Sequence, residues 1–295
     1  MDKILFIINP VAGGGKTKSL APIINKIMKS RKIEYNIIFT TKPKEATEIA
    51  RSNLNRGYTK IVAVGGDGTI NEVAVSLIGS DKVTLGIIPS GTGNDLARTL
   101  DIPNDPKKSI DIIIKGKVKK IDVGTINNKI FLNISSIGFD SEIAKNTEKV
   151  KKKIKSSFAY IIGFFISYIN LKDVDVKLKI DEVSLNKKIF MAVVGNGKYY
   201  GGGRKILPMA NIEDGFFDVC VVKKMPKLKL ILFFITLLMG MPTVFKKNLE
   251  TFRAKSIKIV TKDQTYLNID GEIEDVQKET FFTMQKEKLQ VLINE

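Results

Sequence analysis

The sequence predicts two domains of different class: an α/β domain with a parallel sheet, followed by a mostly antiparallel β domain. The chain has 295 residues, which is too many for one ordinary core and about right for two. Apolar runs alternate with helical segments in the first part, and short alternating runs dominate the rest. We therefore expect the α/β domain over 1–120 and the β-rich domain over 121–295, with the last ~20 residues as a candidate to pack back on the first domain.

The first domain should consist of strands that alternate with helices. Strands are expected at Lys3–Asn9, Tyr35–Thr40, Lys60–Val64 and Thr84–Ile88, and helices at about 19–32 and 43–56 and after each of the last two strands. Such alternation forms a parallel sheet, and ligands bind these sheets at the carboxyl ends of the strands. Three of the four strands end in glycine-rich loops, so this edge is the predicted binding site.

The second domain is predicted as short strands interrupted by two helices. The strands are expected at Lys119–Ile126, Lys129–Ile134, Val174–Ile180, Lys188–Val194, Phe216–Val222, Ser256–Val260, Thr265–Ile269, Thr280–Met284 and Leu289–Ile293. The apolar stretches Phe158–Leu171 and Leu230–Phe245 are predicted as the helices. Both are shorter than the roughly 20 apolar residues that a membrane span needs. We therefore expect a soluble, cytoplasmic protein.

Composition limits the possible chemistry. The chain contains no histidine, which excludes a histidine base and argues against a zinc site. A single cysteine, Cys220, excludes an intrachain disulfide and fits a reducing compartment. The net charge of +17 comes mostly from lysine, which suits an anionic membrane or phosphorylated ligands, although a solvated lysine surface is an equally good interpretation. No nucleic-acid motif is present, so nucleic acid is not an expected partner.

Three glycine-rich segments carry the functional signal. The segment Asn9–Thr17 is not a standard P-loop, because Pro10 stands where that motif requires glycine, but its three consecutive glycines favour phosphate binding over a simple tight turn. Gly65–Thr69 and Pro89–Asp95 end two predicted neighbouring strands, and Asp67 could hold Mg²⁺ or serve only as a turn residue. The dinucleotide pattern G-x-G-x-x-G fails at both loops, which weakens an oxidoreductase hypothesis.

Together these segments closely resemble the diacylglycerol kinase catalytic-domain family, which includes bacterial diacylglycerol kinases, related bacterial lipid kinases, and sphingosine and ceramide kinases. The matching N-terminal segments are Asn9–Gly13, Gly65–Glu72 and Pro89–Arg98, and Asn196–Gly203, Asp214-Gly215 and Asp270-Gly271-Glu272 are similar to motifs of the second domain. Gly-Gly-Asp-Gly-Thr alone also occurs in NAD kinases. The resemblance covers essentially the whole chain. It implies a first domain like phosphofructokinase and NAD kinase, a β-sandwich second domain, and ATP and magnesium as cofactors.

The resemblance also implies roles for individual residues. Glu272 matches the general base, and Asp67 is expected near the catalytic magnesium. Asp214, with the backbone carbonyls of Asn211 and Phe216, matches a structural magnesium site. The expected nucleotide-binding residues are Asn9, Pro10, Gly13, Thr40, Gly65, Gly66, Asp67, Gly68, Thr69, Asn71, Glu72, Gly91, Thr92, Gly93, Asn94 and Asp95. Outside this family context, Asp270–Glu272 would read as an ordinary hairpin turn.

Lysines flank both apolar stretches. They are Lys149, Lys151, Lys152, Lys153 and Lys155 before the first stretch, and Lys223, Lys224, Lys227, Lys229, Lys246 and Lys247 around the second. This pattern suits helices at an anionic bilayer surface and peripheral membrane association, although buried core helices with solvated flanks explain it equally well. The leading hypothesis is a lipid kinase with diacylglycerol as substrate, ahead of phosphatidylglycerol or a sphingoid base. The alternatives are an NAD kinase and a non-catalytic nucleotide-binding regulator at the membrane surface, and a homodimer through a sheet edge is possible.

Overall fold

The structure is a computed structural model that describes residues 2–151, 159–171, 173–239, 245, 247–262, 265–276 and 278–294. Its helices are α1 Leu20–Ser30, α2 Glu45–Asn53, α3 Asp67–Leu77, α4 Asp95–Thr99, α5 Pro106–Lys115, α6 Phe139–Lys151, α7 Ala159–Ile169 and α8 Lys227–Leu238. Its strands are β1 Lys3–Ile8, β2 Glu34–Phe39, β3 Lys60–Gly65, β4 Thr84–Pro89, β5 Lys117–Ile121, β6 Gly124–Ile126, β7 Lys129–Phe131, β8 Ile134–Gly138, β9 Val174–Ile180, β10 Val183–Gly195, β11 Tyr199–Tyr200, β12 Arg204–Lys205, β13 Phe217–Lys223, β14 Leu249–Ala254, β15 Ser256–Thr261, β16 Tyr266–Ile269, β17 Glu272–Asp275, β18 Glu279–Met284 and β19 Leu289–Ile293.

The chain divides into two compact units. The first contains Met1–Val123, Gly201–Gly203 and Gln285–Glu295, and the second contains Gly124–Tyr200 and Arg204–Met284. The predicted fold class is confirmed: the first unit is α/β with a mostly parallel sheet, and the second is built on a curled antiparallel sheet.

The sheet of the first unit has the strand order β2-β1-β3-β4-β19-β5. The first four strands are parallel, as the alternation of strands and helices predicts. The last two are not among the strands predicted for this domain. Strand β19 was predicted among the strands of the second domain, but it pairs in parallel with β4 and antiparallel with β5. A short apolar run does not itself indicate which sheet it joins, but the pairing agrees with the expectation that the last ~20 residues could pack back on the first domain.

Helices α1 and α5 of the first unit each bury a mostly apolar face. In α1 the buried residues Leu20, Ala21, Ile24 and Met28 recur at helical spacing and pack with β1, β3 and α5. Helix α5 begins at a local signal that our sequence analysis did not use, because Asp105 accepts hydrogen bonds from the N–H groups of Lys107 and Lys108, and Pro106 occupies the first turn. These helices hold the sheet so that its strand ends carry the loops described below.

The sheet of the second unit curls around its own core. Its order is β17-β16-β8-β10-β9-β15-β18-β6-β7, with β13 paired to β10 and β14. Strand β10 is 13 residues long, and its register shifts between Ile189 and Met191, so its first half pairs with β9 and its second half with β8 and β13. Helix α6 lies outside the predicted elements. It packs with α7 and α8 in a second apolar cluster that includes Phe139, Phe164 and Phe233.

Both apolar stretches form helices as predicted: α7 lies within the first, and α8 begins three residues before the second, at Lys227. Phe158 and residues 240–244 of those stretches lie outside the described residues, as do Lys152, Lys153, Lys155 and Lys246 of the lysine flanks. No helix in the described part of the chain is long and apolar enough to cross a membrane.

Candidate functional site

The glycine turn after β1 packs against the loop that follows β4. Gly13 has a φ of 58°, and a Cβ atom added there would lie 2.2 Å from the carbonyl oxygen of Ser90, so only glycine fits. Next to it, the Oγ1 of buried Thr17 lies 2.8 Å from the Oγ of Ser90. Asn9 donates from Nδ2 to the Oγ1 of Thr69 at 3.1 Å, which joins this turn to the start of α3. The predicted nucleotide-binding residues Asn9, Gly13 and Thr69 therefore lie together.

The loops after β3 and β4 approach each other through glycine backbones. A Cβ atom on Gly91 would lie 2.4 Å from the Cα of Gly66, and one on Gly66 would lie 3.1 Å from the Cα of Gly91. Gly65 is equally constrained, because its Cβ would lie 2.6 Å from the side chain of Thr69. These glycines allow two loops to pack with their backbone groups at the strand ends, where a phosphate could reach them.

The half-buried carboxylate of Asp67 links the two loops. Its Oδ2 accepts a hydrogen bond from the N–H of Asn94 at 2.7 Å, and its Oδ1 accepts one from the N–H of Asp95 at 2.6 Å. A Cβ on Gly93 would lie 2.6 Å from Oδ2, so this loop needs glycine to approach the carboxylate. Asn94, with a φ of 55°, closes the same loop by accepting the N–H of Gly91 at 2.9 Å.

Asp95 in turn binds a segment that lies far away in the sequence. Its carboxylate accepts hydrogen bonds from the N–H groups of Gly202 at 3.0 Å and Gly203 at 2.6 Å. Burial raises the pKa of Asp95, the hydrogen bond from Gly202 opposes this, and the neighbouring charge of Asp67 raises it further. Gly201–Gly203, which the sequence analysis assigned to a second-domain motif, therefore belongs to the first unit.

Several predicted nucleotide-binding residues have evident structural contacts. The carboxylate of Glu72 accepts hydrogen bonds from the N–H groups of Lys44 and Ala46 at 3.1 and 3.2 Å, at the start of α2. Thr40 is buried, and its N–H donates to the carbonyl of Ile8 at 2.9 Å. Of the others, Gly68 and Thr92 are exposed, and Pro10 and Asn71 are half-buried. The nucleotide-binding role of all these residues stays a prediction.

In the second unit, Asp270 organises the turn that precedes Glu272. Its carboxylate accepts three backbone hydrogen bonds, from the N–H groups of Leu132, Asn133 and Ile134 at 2.7, 3.0 and 2.9 Å. Glu272 is the first residue of β17 and is exposed. The segment 132–134 thus fixes the hairpin on which the predicted general base lies.

The same segment also binds the Asn196 motif. Asn196 is fully buried, and its Nδ2 donates to the carbonyl of Leu132 at 3.1 Å, while Asn133 donates from Nδ2 to the carbonyl of Tyr199 at 2.5 Å. Two motifs that are separated by about 70 residues in sequence therefore converge on one short segment. Sequence analysis missed Asn133, because an isolated asparagine within the predicted strand Lys129–Ile134 carries no distinctive signal.

The predicted structural metal residues form an ion pair instead of an open ligand set. Asp214 accepts the N–H of Phe216 at 3.0 Å on Oδ1 and pairs with the guanidinium of Arg253 at 2.5 Å on Oδ2. Asn211 accepts the N–H of Glu213 at 3.2 Å. Among the described residues, no group of three or more Asp, Glu or Cys side chains is arranged to hold a metal. A metal role for Asn211, Asp214 and Phe216 stays a prediction, and a cation there would have to share the carboxylate with Arg253.

A buried polar cluster in the second unit escaped the sequence analysis. Asp140 is 2% exposed and accepts hydrogen bonds from Ser136 Oγ at 2.5 Å and Asn268 Nδ2 at 3.5 Å. Burial raises the pKa of Asp140, and it also raises the pKa of the neighbouring phenols of Tyr160 and Tyr200. Sequence reasoning missed this cluster because α6, which carries Asp140, was not predicted.

Comparisons with known proteins agree with one another. Residues 3–126 match the family model described as the diacylglycerol kinase catalytic domain, and residues 133–293 match the YegS C-terminal NAD kinase beta sandwich-like domain. A diacylglycerol kinase of Staphylococcus saprophyticus is 31% identical over 267 residues, which cover 90% of this chain and 87% of that protein. One from Staphylococcus epidermidis is 32% identical over 269 residues, which cover 90% and 84%.

Solved structures show the same fold. A protein from Bacillus anthracis str. Sterne superposes with a TM-score of 0.81 at 26% identity, covering 99% of this chain and 97% of that one. An NAD kinase from Archaeoglobus fulgidus, solved in complex with ATP, superposes with a TM-score of 0.53 at 14% identity, covering 100% and 94%. The second likeness is one of fold alone.

Proposed function

We propose that this chain, which belongs to the diacylglycerol kinase family and is a lipid kinase, phosphorylates diacylglycerol. In the proposed reaction the γ-phosphate of ATP is transferred to the free hydroxyl of diacylglycerol, and the transfer depends on magnesium. The products would be phosphatidic acid and ADP. The observation that carries the proposal is the carboxylate of Asp67, which is held by backbone N–H groups among three glycine-rich loops at the ends of parallel strands. Phosphoryl transfer depends mainly on such positioning and on charge neutralisation.

The surroundings of Asp67 fit a magnesium ion. Each carboxylate oxygen accepts one backbone hydrogen bond and keeps a lone pair, and oxygen is the ligand that Mg²⁺ prefers. No lysine or arginine forms an ion pair with Asp67 in the part of the chain that the structure describes. When bound, the ion would neutralise charge on the phosphates.

The chain's own groups account for the other requirements. The backbone N–H of the exposed residue Gly14 is proposed to bind a phosphate oxygen, and the loop from Gly91 to Asp95 is proposed to position the nucleotide. Glu272 is proposed to accept the proton of the lipid hydroxyl. The hydroxyl oxygen then forms a bond to the γ-phosphorus of ATP while the bond from that phosphorus to ADP breaks. A carboxylate base is expected in a chain without histidine.

A transfer assay tests the proposal. The protein would be incubated with γ-labelled ATP, with or without Mg²⁺, and with mixed micelles of diacylglycerol, phosphatidylglycerol, ceramide or sphingosine, with NAD in a parallel reaction. We expect label on diacylglycerol only when Mg²⁺ is present. Label on another lipid would correct the substrate, label on NAD alone would make the chain an NAD kinase, and bound ATP without any transfer would contradict the proposal.

A further inference from the structure

Helix α7 has apolar residues on its outer side as well as on its inner side. Ile161, Phe165 and Ile169 recur every four residues and are 39%, 51% and 73% exposed. On the opposite side, Phe164 is 1% exposed and packs in the apolar cluster of the second unit. An ordinary surface helix has polar residues on the side that faces water. Within the described part of the chain, these apolar residues on the outer side of α7 are therefore left uncovered.

Helix α8 repeats this arrangement. Leu228, Leu232 and Ile235 are 72%, 50% and 45% exposed, and Met239, directly after the helix, is 64% exposed. The inner residues Leu230, Phe233 and Phe234 are buried. The two helices touch, because the rings of Phe164 and Phe234 stack with centroids 3.7 Å apart. The exposed apolar residues of α7 and α8 are called the α7–α8 face below.

This face holds most of the large exposed apolar residues in the described part of the chain. Of the fourteen large hydrophobic residues that are exposed in the described part of the chain, eight lie on these two helices or directly after α8. Helices α1 and α5 of the first unit contribute none to that set. Scattered exposed apolar residues are ordinary, but a row of them along one side of a helix, as on both α7 and α8, marks an interaction surface.

We propose that the α7–α8 face docks on the surface of an anionic lipid bilayer. The inference rests on the proposed function, since diacylglycerol does not leave the bilayer. Neither helix contains Asp or Glu, whereas Lys227 and Lys229 in the first turn of α8 are exposed. Lysines beside an apolar face favour a negatively charged membrane surface. With 11 and 12 residues, the helices are about 16 and 18 Å long, so they lie along a bilayer whose core is about 30 Å thick.

A vesicle-binding assay without ATP tests the docking surface independently of catalysis. Binding would be measured by co-sedimentation with vesicles of phosphatidylcholine alone and of phosphatidylcholine mixed with phosphatidylglycerol. The variant Phe165→Ser/Ile169→Ser should bind the anionic vesicles about ten- to a hundredfold more weakly than the wild type. The matched control is Val183→Ser/Phe281→Ser, which removes two residues of the second unit that are 47% and 43% exposed but lie elsewhere. It should bind like the wild type.

A second variant protects the test against misfolding. If the unfolding midpoint of Phe165→Ser/Ile169→Ser is lower than that of the wild type, the variant Leu228→Ser/Leu232→Ser is used in its place. We expect it to lose binding to anionic vesicles to the same extent. Equal binding by the wild type and either folded variant would overturn the proposal. So would a wild type that is dimeric by light scattering and becomes monomeric in these variants, because the face would then be covered by a second copy.

Activity on a short-chain, water-soluble diacylglycerol separates this proposal from the proposed function. The α7–α8 variants should phosphorylate that substrate at the wild-type rate and lose activity only on diacylglycerol in vesicles. Vesicle binding by a wild type that phosphorylates no lipid would leave the docking surface intact and contradict the kinase proposal. Loss of activity on both substrates by a folded variant would show that α7 acts on catalysis and not on docking.

Discussion

The two units hold their candidate catalytic carboxylates in different ways. In the first unit one residue, Asp67, accepts two backbone hydrogen bonds and is also the proposed magnesium ligand. In the second unit two nearby residues have these roles separately. Asp270 accepts three backbone hydrogen bonds, and Glu272 is exposed and is the proposed proton acceptor. In the second unit, a substitution of Asp270 should therefore change mainly stability and one of Glu272 mainly turnover. A substitution of Asp67 should change both stability and turnover.

The largest effect is expected for Glu272→Gln. Turnover should fall about 10²- to 10⁴-fold, because glutamine cannot accept the proton of the lipid hydroxyl. The unfolding midpoint should stay unchanged, because within the described part of the chain the Glu272 side chain makes no hydrogen bond or ion pair. Label transfer at saturating ATP and a thermal melt measure the two quantities.

The matched control for this variant is Asp275→Asn, which removes another exposed carboxylate from β17. It should retain wild-type turnover. Equal losses in both variants would mean that the charge of the hairpin matters and not a proton acceptor at position 272.

A smaller loss of turnover, together with a loss of stability, is expected for Asp67→Asn. One amide oxygen replaces two carboxylate oxygens, so either the Asn94 or the Asp95 N–H loses its acceptor, at a cost of about 1–3 kcal/mol in unfolding free energy. Turnover should fall at least about tenfold, and raising the Mg²⁺ concentration should restore part of it. Urea unfolding and a magnesium titration of the rate measure these effects, and a variant with wild-type magnesium dependence would remove Asp67 from the metal site.

Asp270→Asn should affect mainly stability. One amide oxygen cannot accept all three backbone hydrogen bonds, so the unfolding free energy should fall by about 1–3 kcal/mol. The thermal unfolding midpoint should fall by about 2–4 °C for each kcal/mol. The folded fraction should still turn over substrate. A variant that melts at the wild-type temperature would contradict the structural role of Asp270.

The smallest expected effect is a pH dependence of the unfolding free energy that comes from Asp140 in the buried polar cluster of the second unit. Because burial raises the pKa of Asp140 above its ordinary value of 3.8, the fold favours the protonated carboxyl. Its contribution to stability is therefore present at low pH and is lost as the pH rises through the folded-state pKa. Against Asp140→Asn, the wild type should lose unfolding free energy between about pH 4.5 and about pH 7.5. Urea unfolding at both pH values tests this, and a difference that does not change with pH would contradict it.

Sequence patterns predicted the features that depend on local spacing. The glycine-rich loops, the parallel strands that precede them and the helices α7 and α8 follow from residue order alone. Such patterns also identified Asp67 as a candidate site residue, because an aspartate between two glycines directly after an apolar strand is visible in the local sequence.

Contacts between distant segments could not be predicted in this way. The hydrogen bonds from Gly202 and Gly203 to Asp95, and those from segment 132–134 to Asp270, join residues more than 100 positions apart. The pairing of β19 with β4 has the same origin. In each case the partner is a backbone group, which every residue type carries, so the sequence has no signal for it.

The most direct test of the account is transfer of labelled γ-phosphate to diacylglycerol by the wild type, Glu272→Gln and Asp270→Asn, at a temperature where all three are folded. The account predicts labelled lipid from the wild type, an amount close to it from Asp270→Asn, and almost none from Glu272→Gln. Label from Glu272→Gln at the wild-type rate, or no labelled lipid from the wild type, would contradict it.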